Sequence, residues 1–145
     1  MSAIARPAGH RSLSRKDVVV YVAGVIAGLI ATHAVIAFAD DGRITVRSTL
    51  LLAVVACFIA GFYLVRRPAI RQRRYAYYFL HVMAFLLVNG SYWLHAGILS
   101  LDGRADVVAA TWSGALYAMA TFWGIGLLIH TLGAFLSKGF EDVDV

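Results

Sequence analysis

Four histidines fall inside long apolar stretches of this chain: His33, His81, His95 and His130. An imidazole in hydrocarbon needs a hydrogen-bond partner, a metal or a proton path, so each of the four calls for a role. His81 and His95 share one stretch, fourteen residues apart. At roughly 100° and about 1.5 Å per residue they lie on nearly the same helix face, about 21 Å apart along its axis. Counting inward from the ends of the stretches, His81 and His130 both lie about 9–10 Å from one membrane surface. His33 and His95 both lie about 8–9 Å from the other. The expectation is an inner pair, His81 with His130, and an outer pair, His33 with His95, the third helix supplying one member to each.

Two chemistries fit that arrangement. One is bis-histidine ligation of two stacked b-type haems in a helix bundle, with His81, His130, His33 and His95 as axial ligands. Gly90, Gly126 and Gly133 lie near these histidines, where a macrocycle would approach the backbone. The chain has no C-x-x-C-H segment, so such a haem would be non-covalent, and no metal beyond haem iron is expected. The other chemistry is structural, with histidines hydrogen-bonding from helix to helix. No carboxylate lies within an apolar stretch, which argues against acidic proton relays or ion-coupled transport. No serine–histidine–aspartate set, paired carboxylates or phosphate-binding glycine loop can be read, so the expectation is a non-enzymatic protein.

The elements that position these residues follow from composition. Of 145 residues, 61% are hydrophobic and only 14% charged, with a mean hydropathy of +0.76. A soluble domain of this size has too little interior for that much apolar surface, so the lipid bilayer is the expected partner. The net charge of +5 comes from basic residues that flank apolar stretches, which fits topology-setting charge and speaks against nucleic acid. The lone cysteine, Cys57, sits in an apolar run and excludes an internal disulfide framework.

The expected order is a basic leader over residues 1–17, an apolar hairpin over 18–65, an arginine-rich loop over 66–74, a second hairpin over 75–137, and a tail over 138–145. The first span, to about residue 39, is long for a secretory signal and is read as a retained helix. It carries Gly24 and Gly28 in the small-xxx-small spacing that lets membrane helices approach closely. Pro68 is expected to stop the second helix or begin the third. The fourth stretch, 107–137, would be about 46 Å long as one helix, so it either tilts or begins outside the membrane as far as Trp112. Short loops between four spans predict an all-α, integral-membrane, antiparallel four-helix bundle of up-down-up-down order. The basic leader and the five arginines of 66–74 predict that both termini lie in the cytoplasm of a bacterial-type inner membrane. Asn89, Ser91 and Thr121 are candidates for hydrogen bonds between helices.

The segment Trp123-Gly-Ile-Gly-Leu-Leu-Ile-His130, taken with His81 and Asn89, resembles the two-transmembrane domain family over about residues 73–136. Members of that family are helical hairpins with a histidine early in the first helix, an asparagine one or two turns later, and a W-G-x-G-x-x-x-H motif in the second. His81, Asn89, Trp123, Gly124, Gly126 and His130 occupy those positions. The resemblance implies a membrane hairpin with Gly124, Gly126 and Asn89 in helix packing, and implies no established activity. This chain departs from the pattern by placing two spans before the hairpin and carrying no signalling module. Two functional expectations follow: a non-enzymatic membrane accessory or scaffold protein packing with itself or a larger complex, and a diheme b-type electron carrier.

Overall fold

The computed structural model describes residues 13–72 and 75–136. The chain is all-helical, and among the described residues four helices are long and apolar enough to cross a membrane. Residues 1–12 of the expected leader and the whole of the expected tail, 138–145, lie outside the described residues, as do 73, 74 and 137.

Helix α1 spans Arg15–Ala34 and continues as a π-helical segment, Val35–Ala39. It starts where it does because Ser14 and Asp17 form a capping box: the Ser14 hydroxyl accepts from Asp17 N at 3.2 Å, and the Asp17 carboxylate accepts from Ser14 N at 3.0 Å. Two otherwise unpaired amides at the helix start are satisfied this way. Helix α2 spans Val46–Arg71, opened by a second such box between Thr45 and Ser48. The expected stop near residue 65 does not occur. Pro68 sits inside the helix, which runs on to Arg71. A proline removes one amide donor; here it does so near the helix end, where exposed arginines, good helix formers, carry the last turns.

Helix α3, Ala76–Leu101, is the centre of the fold, packing against α1, α2 and the fourth span. Its buried face is Ala76, Leu80, Ala84, Val88, Asn89, Tyr92, Ala96 and Leu99. Three alanines in that stripe let neighbouring backbones come close, which is how helices associate where the solvent is as apolar as the side chains. Tyr21 of α1 donates its hydroxyl to the Leu80 carbonyl at 3.2 Å, fixing α1 against α3. The expected Gly24/Gly28 seam faces α2. A Cβ on Gly24 would run into the Phe58 ring, and one on Gly28 would stand 2.6 Å from Val55 Cγ2.

The fourth stretch is broken. Helix α4, Ala105–Thr111, ends at Trp112, a π-helical segment covers Gly114–Met119, and α5 covers Ala120–Leu136. The membrane-length span begins at Gly114, so α4 stands before it. The break falls at Trp112, whose fully buried indole donates to the Gly42 carbonyl at 2.9 Å. The turn at Asp41–Gly42, both with positive φ, is thereby joined to the end of α4, and Arg104, in the α3–α4 connection, pairs with Asp41 at 2.8 Å. Arg66 pairs with Asp17 at 2.9 Å at the opposite end. Both connections lie together at one end and the start of α1 meets the end of α2 at the other, as an up-down-up-down chain requires.

The bundle is uneven. Helices α1, α2 and α3 pack mutually, whereas α5 leans on α3. Only 6% of the fourth span is buried, against 33% of the third.

Candidate functional site: two histidine clusters

The four histidines meet in two cross-helix pairs at opposite ends of α3. At the end that carries the connections, His33 of α1 and His95 of α3 approach with Nδ1···Nδ1 at 2.9 Å. That is a hydrogen-bond distance. One proton lies between the two nitrogens, so one ring is the Nδ1–H tautomer and the other carries its proton on Nε2. Aromatic rings wall the pair. Tyr92 meets His33 edge-on at 4.8 Å, Trp112 meets His95 edge-on at 5.1 Å, and Tyr92 and Trp112 touch each other at 5.9 Å. The helix break at Trp112 and the indole bond to Gly42 hold that wall in place. Thr111 Oγ1 adds a contact by accepting from Ile44 N at 3.4 Å. The His33 Nε2 atom is buried and has no hydrogen-bond partner among the described residues.

The other cluster is built differently. Trp123 of α5 donates its indole N–H to His81 Nε2 at 2.9 Å. An indole nitrogen only donates, so His81 accepts through Nε2 and, when neutral, holds its proton on Nδ1. His130, two turns after Trp123 on the same face of α5, stacks on His81 with ring centroids 5.4 Å apart and planes 29° apart. His81 is half-buried and His130 exposed. Phe85 closes on Trp123 edge-on at 6.1 Å.

The ligand geometry of a haem can be tested against these pairs. Two axial imidazoles, each bonded about 2 Å from iron, hold their ligating nitrogens about 4 Å apart on opposite sides of the metal. The Nδ1 atoms of His33 and His95 are 2.9 Å apart, roughly 1 Å too close by that measure. At the other end, His81 Nε2 is taken by Trp123. As placed, the two pairs are hydrogen-bonded and stacked contacts and do not fit haem iron between them. Gly90, Gly126 and Gly133 face open space, with nothing within 4 Å of an added Cβ.

The remaining packing residues divide. Gly24 and Gly28 lie in the close α1–α2 seam, and Gly124 faces the Phe85 ring at an ordinary 3.9 Å. At Gly126, expected in helix packing, an added Cβ would meet nothing within 4 Å among the described residues. Asn89 is buried, but it does not bridge helices: Nδ2 donates to Phe85 O of its own helix at 3.0 Å, and Oδ1 is buried without a partner. Ser91 likewise turns to its own helix, donating to Val88 O at 2.8 Å. An asparagine or serine inside a helix has the i−3 or i−4 carbonyl always within reach, and that local bond wins here. In the sequence, Trp112 and Tyr92 carry no signal beyond that of aromatic residues near a membrane surface. For Trp123, the seven-residue spacing to His130 placed both on one face of α5, and that was the available signal.

Comparison with models of known protein families, with curated proteins and with solved structures finds no match. The chain is a multi-pass membrane protein by its four membrane-length helices.

Proposed function

We propose that this chain is a non-enzymatic integral membrane accessory protein, in which α1, α2 and α3 form the body and α5 presents a face to other membrane helices. The observation that carries this reading is the state of α5. It rests on α3 through Trp123 and Gly124 and leaves Phe122, Ile129 and Leu136 exposed. Apolar exposure alone is ordinary in lipid. What distinguishes this face is His130, a polar ring exposed at its edge, together with Gly126 and Gly133, which leave notches beside it. Small residues and a polar side chain on one uncovered face are what membrane helix association uses, and a polar group in hydrocarbon calls for cover. The C-terminal hairpin's resemblance to two-transmembrane domains agrees with a packing role.

The orientation proposed is that of a bacterial-type inner membrane with both termini cytoplasmic. Arg15 and Lys16 begin α1 and Arg66, Arg67 and Arg71 end α2 at the end joined by the Asp17–Arg66 pair. A concentration of basic residues marks the cytoplasmic side.

Cross-linking in native membranes tests the docking face. In a Cys57→Ser background, Ile129→Cys and Gly133→Cys are expected to cross-link to a partner helix, and Leu127→Cys, one helical turn after Trp123 and less exposed, is not. Equal labelling at all three, or none, removes the docking role. The diheme reading is favoured by one observation, the sorting of four histidines into two pairs, and it requires the outer rings to separate. Its test is optical: protein purified from a haem-replete host is expected to be colourless. A Soret band with reducible α-bands that lose one haem in His130→Ala and the other in His33→Ala would replace the accessory reading.

A further inference from the structure

The end of the bundle away from the two connections carries an unbalanced charge. Among the described residues it gathers five cations, Arg15 and Lys16 at the start of α1 and Arg66, Arg67 and Arg71 at the end of α2, against one carboxylate, Asp17. Asp17 is committed: it pairs with Arg66 at 2.9 Å and accepts from Ser14 N at 3.0 Å and from Ser14 Oγ at 2.7 Å. Arg15, Lys16, Arg67 and Arg71 form no ion pair among the described residues. Arg15 and Lys16 also stand at the positive end of the α1 dipole, where a cation is disfavoured and an anion is favoured.

A cavity of about 670 Å3 opens at this end between the first turns of α1 and α3. That volume is within the range of small-molecule clefts, ~300–1,000 Å3. Its lining changes with depth. Ser14 and Arg15 at the start of α1 and Tyr75 at the start of α3 stand at the rim, and Val18 and Phe79 line it one helical turn further in, about 4.5–6 Å deeper along the helix axes. Phe79 is 50% exposed, so the apolar part of the cavity opens sideways toward hydrocarbon. A tyrosine at the rim with apolar side chains below it is the order of residues at a headgroup boundary.

Charge and lining together select one kind of occupant. A free phosphate would meet Arg15 and leave Val18 and Phe79 uncovered. A neutral lipid would cover them and leave Arg15 without a counter-ion. A second copy of the chain, inserted the same way up, would bring its own five cations to the same level. We infer that the cavity holds one phospholipid of net negative charge, its phosphate on the Arg15 guanidinium and one acyl chain running inward past Val18 and Phe79. Lys16, the next residue, adds to the attraction, since each cation at a membrane surface strengthens the hold on an anionic lipid. Both helices line the cavity, so an occupied site ties the first turn of α1 to that of α3. The site does not depend on which side of the membrane this end faces, and it is independent of any partner on α5.

The test reconstitutes the full chain in dioleoylphosphatidylcholine nanodiscs that contain a minor share of dioleoylphosphatidylglycerol. The protein is then moved to detergent, and the lipid it keeps is identified and counted by native mass spectrometry. Expected is a single phosphatidylglycerol per chain, kept ahead of phosphatidylcholine. Arg15→Gln is expected to lower that retention about five- to tenfold, the loss of one cation at a membrane surface. Arg67→Gln removes an equal charge at the same end but outside the cavity, and is expected to keep the lipid as the parent does. Both arginines are exposed, so neither change threatens the fold. Phe79→Ala strips the wall beside the acyl chain and is expected to weaken retention severalfold, with helix content as its control. The inference is overturned if the two arginine variants lose lipid equally, which is diffuse attraction, or if phosphatidylcholine is kept as well as phosphatidylglycerol. It is equally overturned if inorganic phosphate alone displaces the lipid. It also falls if phosphatidylglycerol is kept only once Glu141→Gln, Asp142→Asn and Asp144→Asn are combined, which would make the acidic segment of this same chain the occupant.

Discussion

The two histidine clusters sit on the same helix, and they are held by opposite means. The outer pair lies beside the three-helix body, walled by Tyr92 and Trp112 and closed by the bond from Trp112 to Gly42. Its two rings bond each other. The inner pair lies on the seam between α3 and α5, where His81 is bonded by a tryptophan and His130 adds only a stacked, exposed ring. In the outer cluster either histidine can be the donor. In the inner cluster the indole leaves His81 one role. Equal height along the bundle thus brings two polar rings together without giving them the same chemistry; the third side chain at each site decides that.

The sharpest break of this contrast is Trp112→Ala, which removes a fully buried ring, the wall of the outer pair and the bond to Gly42. It is expected to cost about 3–5 kcal/mol, read as reversible unfolding in mixed micelles. Next comes a pair of identical changes on the two sides of the molecule. Gly28→Val drives a side chain into Val55 and is expected to cost about 1–3 kcal/mol. Gly126→Val enters open space and is expected to stay within about 0.5 kcal/mol, while weakening cross-linking through α5. Equal costs would mean that α5 is as tightly packed as α1.

The histidines themselves follow. His33→Ala leaves the Nδ1 of His95 unpaired in a half-buried site and is expected to destabilise by about 1–3 kcal/mol. His130→Ala removes an exposed ring that makes no hydrogen bond among the described residues and is expected to change stability by less than about 0.5 kcal/mol. The reverse ranking would place the structural weight on the inner pair. The most conservative change is Trp123→Phe, which keeps an aromatic ring and deletes one donor. About 0.5–1.5 kcal/mol is expected, together with release of His81 from its single tautomer, visible in its 15N shifts.

Much of this was legible in the chain. Runs of about twenty apolar residues can satisfy their backbone in lipid only as helices, and short connections make successive helices antiparallel. Counting residues from the ends of the runs was enough to bring His33 to the level of His95 and His81 to that of His130. Which helices share a seam was less legible, since lipid gives no apolar pattern that separates a buried face from a lipid-facing one. So α5 was expected as an equal member of the bundle and stands at its edge. The path of α2 through Pro68 was hidden because one missing amide near a helix end is cheaply tolerated. The partners of Trp112 and Trp123 lie 70 and 42 residues away in sequence, and no local pattern announces them. Asn89 was expected to reach across and instead took the carbonyl one turn behind it.

The most direct measurement of the central claim is 15N NMR of histidine-labelled protein in nanodiscs, reading scalar coupling across the N–H···N bond. The account predicts one coupled pair, the Nδ1 atoms of His33 and His95, and a His81 whose Nδ1 is protonated and whose Nε2 accepts from Trp123. Absence of that coupling, with the outer Nδ1 atoms bound to iron or each facing solvent, would contradict it.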